Sequence, residues 1–155
     1  MTIYPDTNFL IALYCTGPNS KEAARLDASI SERNPLVYPV TMIGRLEFVN
    51  ALQQSVFSTR NGVPGVRLTP EFALIVEAFF FENLAAGRLL RSAVCDEAVL
   101  ERQFQTLSHR HTAKEGFRTY DILHVSSALV LGCDTFWSFD TKAKKLAKLE
   151  GLAVN

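Results

Sequence analysis

The stretch Thr2-Ile3-Tyr4-Pro5-Asp6-Thr7-Asn8-Phe9-Leu10 decides how the rest of the chain is read. Its first residues form a short strand. A lone carboxylate, Asp6, follows, then two small polar residues. The apolar run Phe9-Leu10-Ile11-Ala12-Leu13 then begins a helix. Strand, acid, helix is the order in which an open parallel sheet sets a reactive group at the carboxyl edge of its first strand. The question for the remaining chain is which other acids meet Asp6 there.

Outward from this start, strands and helices alternate. The first helix runs over residues 7–14 and stops at Gly17-Pro18-Asn19. A second, residues 20–33, carries Ala23, Leu26 and Ile30 at helical spacing and ends at Asn34-Pro35. Leu36-Val37-Tyr38 is a strand. Thr41 caps a third helix with apolar positions Ile43, Leu46, Val49, Leu52, Val56 and Phe57, and Glu47 falls at the edge of that stripe. Residues 58–69, with two glycines and a proline, read as a loop. Thr69-Pro70-Glu71 opens a helix that Gly87 closes. Its apolar residues, Phe72 through Leu84, are too many for one buried face, so the helix is either fully buried or offers a surface to a partner.

Residues 89–94 are a candidate strand, and Asp96 caps the next helix, whose end is basic (His109, Arg110, His111, Lys114). Thr119 caps a helix over residues 120–131, with Asp121 in its first turn and Gly132 as its stop. Residues 133–139 are a strand with Trp137 and Phe139 on one face and Phe136 and Ser138 on the other. Asp140 follows at once. A lysine-rich amphipathic helix then runs to Gly151. This alternation specifies a parallel α/β sheet covered by helices on both faces.

Composition bounds the function. The 155 residues suit one domain with a substantial core; 48% are hydrophobic and 21% charged. Sixteen basic residues balance sixteen acidic ones, so nucleic acid cannot be held by bulk charge and requires a local patch or a metal ion. Cys15, Cys95 and Cys133 are odd in number and form no Cys-x-x-Cys pair, which argues against disulfides and zinc and suits a reducing, cytoplasmic compartment. No basic leader precedes the first apolar run, and no stretch nears the roughly 18 apolar residues of a membrane span.

Four acids occupy positions suited to chemistry: Asp6 after strand one, Glu47 on a helix edge, Asp121 at a helix start and Asp140 after the last strong strand. Singly, each has a plain structural explanation as a turn former, a cap, a dipole partner or a solvated side chain. Together they form a set that cannot stay ionised without a counter-charge. Mg²⁺ or Mn²⁺ supplies it, and such a site suits metal-assisted phosphodiester hydrolysis. No phosphate-binding glycine loop, dinucleotide fingerprint or nucleophile elbow is present. His124, one turn beyond Asp121, reads as a packed or hydrogen-bonded core histidine.

Four segments carry a resemblance: Tyr4-Pro5-Asp6-Thr7-Asn8-Phe9-Leu10; Arg45-Leu46-Glu47-Phe48-Val49-Asn50-Ala51-Leu52; residues 118–129, beginning Arg118-Thr119-Tyr120-Asp121; and Phe136-Trp137-Ser138-Phe139-Asp140-Thr141-Lys142 with Leu146-Ala147 and Gly151-Leu152 beyond it. In order, and over nearly the whole chain, they resemble the PIN domain in the form of the small VapC-type toxins of bacterial toxin–antitoxin pairs. The resemblance implies a Rossmann-like, three-layer α/β/α fold with a central parallel sheet, one domain over residues 1–155, and a Mg²⁺- or Mn²⁺-dependent ribonuclease. It makes Asp6, Glu47 and Asp121 the core acids and Asp140 the fourth, with Asp6 and Asp121 as direct ligands. Ser138, Thr7 and Asn8 become small polar neighbours. It further implies RNA as substrate, an antitoxin as partner and a homodimer. Pro5 departs from the β-branched or leucine residue usual before the aspartate.

Arg118, Lys142 and Lys145 are the basic residues placed to meet phosphate. The alternative reading is a PIN-like module that binds RNA or protein without cutting. A dehalogenase-type phosphatase would need an acid at position 8, where Asn8 stands.

Overall fold

A computed structural model describes residues 1–31 and 36–155. The end expected for the second helix at Arg33 and its Asn34-Pro35 stop lie outside the described residues. The elements in order are β1 (Ile3–Pro5), α1 (Thr7–Tyr14), α2 (Ser20–Ser31), β2 (Tyr38–Val40), α3 (Met42–Arg60), α4 (Pro70–Ala86), β3 (Leu90–Ser92), α5 (Glu97–Leu107), α6 (Ala113–Glu115), α7 (Thr119–Val130), β4 (Thr135–Trp137), α8 (Thr141–Leu149) and β5 (Ala153–Val154). A π-helical segment, Ser108–Thr112, joins α5 to α6. No helix among the described residues is long and apolar enough to cross a membrane.

All strand pairs are parallel, as expected for an α/β sheet. They form one patch ordered β1-β4-β5 and a second that pairs β2 with β3. β1 lies beside β2, yet no ladder joins them. Two prolines account for this seam. The Asp6 N–H points to β4, donating to the Trp137 carbonyl at 2.9 Å. Alternation along the strand therefore aims position 5 at β2, where Pro5 has no N–H to give. Likewise the Tyr38 N–H donates to Leu89 on the β3 side at 2.8 Å, so Pro39 is the residue aimed at β1. The unusual Pro5 thus ends a short strand on the side that carries no ladder.

The sheet separates two cores, and the alternation of strand residues assigns each side. Ile3 and Trp137 point into a cluster with Phe9, Tyr38, Phe48 and Phe80 beneath α1–α4. Tyr4 and Phe136 point oppositely, towards Ile122, Val125 and Leu146 of α7 and α8. Phe139 packs with Trp137, as its strand parity requires. Phe48 and Phe80 stack with ring centroids 4.0 Å apart and pin α3 to α4. Truncating either to alanine would cost about 3–5 kcal/mol.

Local signals locate most helix ends. Thr41, Thr69 and Asp96 cap α3, α4 and α5 through their side chains, and Gly87 closes α4 with a left-handed φ of 65°. The differences are instructive. The buried face of α3 is Gly44, Phe48, Leu52 and Val56, whereas Leu46 and Phe57 face outward. This four-residue repeat of small and bulky side chains packs against α1 and α4. α3 also continues to Arg60, so the following loop spans only residues 61–69. α4 is not fully buried: only Ala73, Val76 and Phe80 are, while Phe72, Leu74, Ile75 and Phe79 are exposed. The last helix-opening residue of α7 is Arg118, not Thr119. Strand β5 pairs with β4 at the chain end and was invisible to periodicity because it is only two residues long.

Candidate active site

β1 and β4 are neighbours, so the turns that leave them meet at one sheet edge. Asp6 caps α1: its Oδ1 accepts the Thr7 N–H at 2.6 Å. Its Oδ2 accepts the Ser138 hydroxyl at 2.7 Å and the Asn8 amide at 2.9 Å. The Asn8 carbonyl in turn accepts the Phe139 N–H at 2.7 Å, and the Ser138 N–H donates to the Asn155 side chain at 2.9 Å. Thr7, Asn8 and Ser138, which the sequence marked only as small neighbours, are therefore the residues that aim Asp6.

α3 brings Glu47 to the same place. Its Oε2 accepts the Thr7 hydroxyl at 2.5 Å and lies 2.5 Å from Nε2 of His124. The other ring nitrogen, Nδ1, is 3.0 Å from the Tyr4 hydroxyl, which also reaches Thr41 at 3.4 Å. His124 Nε2 is 3.7 Å from Asp6 Oδ1. Asp6, Glu47 and His124 thus offer ligand atoms all within 4.8 Å of one another. His124 is buried and hydrogen-bonded, as its sequence position suggested, but its bond runs into the acid cluster. The available signal was its three-residue spacing from Asp121, which places both on one face of α7.

Asp121 and Asp140 form the other half. Asp121 is buried in the first turn of α7 and accepts the Arg118 backbone N–H at 3.0 Å. Asp140 caps α8, accepting the N–H groups of Lys142 at 2.7 Å and Ala143 at 3.2 Å. The Arg118 guanidinium spans both acids. Nε and Nη2 grip Asp121 at 3.1 and 3.0 Å, and Nη2 reaches Asp140 at 2.6 Å. All four acids, His124 and Arg118 line one cavity of about 510 Å³, whose wall includes Gly65 and Val66 of the 61–69 loop. Lys142 and Lys145 are engaged elsewhere, with the Gly116 carbonyl and with Glu115.

Two cations, His124 and Arg118, partly offset the four acids inside the site. Burial pushes the Asp6 carboxyl up, against the opposing pull of His124 and the Ser138 hydrogen bond. Glu47 is pushed up by burial but is held below its ordinary value by its bonds from His124 and Thr7 and by the Arg118 charge. Burial opposes charge on His124, yet the Tyr4 hydroxyl and the two carboxylates hold it well above the ordinary imidazole value. Asp140 is likewise lowered, burial being outweighed by its capping N–H groups and Arg118. The donors on offer are carboxylate oxygens, a set that fits a hard divalent cation, while His124, bonded at both ring nitrogens, serves the acids as a counter-charge. A buried carboxylate raised by desolvation is what such an ion would relieve.

The PIN domain family model matches residues 3–149. No curated protein matches the sequence. Among solved structures, the chain is similar to Mycobacterium tuberculosis VapC20, a sarcin-ricin loop cleaving toxin, at 19% identity and a TM-score of 0.63 over 93% of this chain and 94% of that one. It is similar to Rickettsia felis VapBC2 bound to a DNA fragment from its promoter, at 12% identity and a TM-score of 0.66 over 100% and 98%. It is also similar to VapBC-1 of nontypeable Haemophilus influenzae, at 13% and 0.64 over 100% and 97%. At these identities the likeness shows a shared fold. With its family match over nearly the whole length and its acids gathered at the carboxyl edge of a parallel sheet, this chain belongs to the PIN domain family.

Proposed function

We propose that the chain is a cytoplasmic, Mg²⁺- or Mn²⁺-dependent endoribonuclease, a single nuclease domain that serves as the toxin of a toxin–antitoxin pair. The observation that carries this reading is the convergence of Asp6, Glu47 and His124 beside Asp121 and Asp140 in one open cavity. Family membership and the likeness to a toxin that cleaves the sarcin-ricin loop support RNA as the substrate class.

Asp6 and Asp121 would hold the ion, with Glu47 and Asp140 completing the acidic set. A bound Mg²⁺ or Mn²⁺ supplies the charge that orients a water, lowers its pKa and stabilises the phosphodiester under attack. Ser138, Asn8 and the Thr7 N–H keep Asp6 aimed at the cavity. Thr7 and His124 fix the rotamer of Glu47. The cavity holds about 510 Å³, and the 61–69 loop shapes one wall.

The VapBC neighbours support a protein partner. Phe72, Leu74, Ile75 and Phe79 on α4, and Leu46 and Phe57 on α3, are exposed apolar side chains that a protein partner would cover. The decisive experiment is cleavage of a structured RNA by wild type and Asp6→Ala, with Mg²⁺, with Mn²⁺ and with chelator. Cation-dependent cleavage that Asp6→Ala loses by at least about a hundredfold supports the reading. Cleavage in chelator, or an active Asp6→Ala, overturns it.

A further inference from the structure

Asp121 and Asp140 are fixed, and the cation between them is not. Asp121 is anchored by the first turn of α7, its side chain only 7% exposed, and Asp140 by two N–H groups of α8. The Arg118 side chain is 63% exposed, and its contacts among the described residues are to these two carboxylates. Its backbone N–H makes the capping bond to Asp121, so the side chain can leave without uncapping the helix. His124, the other internal cation, is buried and tied at both ring nitrogens.

A divalent ion and a guanidinium compete for the same oxygens. Their like charges repel at contact distance, and Arg118 already fills three of the roughly four lone-pair sites of Asp121, through its backbone N–H, Nε and Nη2. An ion that takes Asp121 therefore displaces Arg118. The displaced group is a planar fork suited to paired phosphate oxygens, at the rim of the cavity where the backbone of a bound RNA would pass.

We propose that Arg118 is an exchangeable counter-ion: it holds the Asp121–Asp140 pair while the site lacks a divalent ion, and on ion binding it transfers to a backbone phosphate of the RNA. This rests on the cation-dependent nuclease reading above. It makes Arg118 a substrate-binding residue of the loaded enzyme and a competitor of its ion.

The sign of one measurement separates this role from that of a structural brace. Removing a brace loosens the acids and weakens ion binding, whereas removing a competitor strengthens it. In calorimetric titration of Mn²⁺ into the full chain, Arg118→Gln is expected to bind about three- to tenfold tighter than wild type, the scale set by losing two partly exposed pairs. In Ca²⁺, with a short single-stranded RNA, the same variant should bind at least about threefold more weakly, with a salt slope shallower by about 0.7. Arg118→Lys, which keeps the charge without the fork, should fall between the two in both assays, and carries the comparison if Arg118→Gln melts. Mn²⁺ binding that is equal or weaker in the variants, or RNA binding that is unchanged, overturns the exchange. Wild type that takes up neither Mn²⁺ nor Mg²⁺ overturns the cation-dependent reading itself, a distinguishable failure.

Discussion

The two halves of the acidic cavity offset their charge in different ways, each with one cation for two acids. Asp6 and Glu47 share a histidine that is buried, bonded to Tyr4 on its far side and enclosed between the sheet and α7. Asp121 and Asp140 share an arginine whose side chain is mostly in water. Each half has one buried acid and one that is 28% exposed, so the difference lies in the cation: His124 is enclosed by the fold, whereas the Arg118 side chain stands mostly in water. A buried charge pair that loses one member leaves an uncompensated charge in a poorly solvated place, while an exposed pair is replaced by water at little cost. One half of the site is therefore built into the stability of the domain, and the other is free to change partners.

The most severe way to test this contrast is His124→Leu. It strands Asp6 and Glu47 without their cation and should destabilise the chain by about 3 kcal/mol or more, read as a lower urea midpoint in chelator. A cost below about 1 kcal/mol would mean that solvent already neutralises that half, and the distinction would fail. Ion binding gives an intermediate effect. Mn²⁺ at about a hundred times its dissociation constant should add about 2.7 kcal/mol to wild type, seen as a rise in melting temperature. Asp6→Asn should lose that rise completely and Asp140→Asn only in part; equal losses would erase the ranking of ligands. The smallest effect belongs to Arg118→Gln in chelator, whose stability should stay within about 1 kcal/mol of wild type because the arginine side chain is mostly in water and the backbone N–H bond to Asp121 remains. A larger loss would make Arg118 a brace after all.

Much of this site was legible because three of its acids, Asp6, Asp121 and Asp140, sit at strand ends and helix starts, where local sequence sets both position and direction. Asp6 and Asp140 each follow a β-strand and cap the next helix, and those same capping bonds hold their carboxylates at the cavity. The parity of Trp137, Phe139, Phe136 and Ser138 was readable from two-residue alternation alone. The outward turn of Leu46 and Phe57 was not, because a helix rich in apolar residues admits more than one buried stripe. The role of His124 was also hidden: its partners Tyr4 and Glu47 are 120 and 77 residues away.

The sequence by itself determined the alternation of strands and helices, the caps of α3, α4 and α5, and the four acids. These depend on interactions within a few residues, which carry their own chemistry wherever the chain goes. Only the tertiary structure decided which cation serves which acid. The order β1-β4 sets Ser138 against Asp6, α3 delivers Glu47 to His124, and α7 and α8 close Arg118 over Asp121 and Asp140. Such pairings depend on how distant segments pack. The seam between β1 and β2 joins the two levels: each proline is local, but only the packed strands set Pro5 and Pro39 on facing edges and leave the sheet without a ladder there.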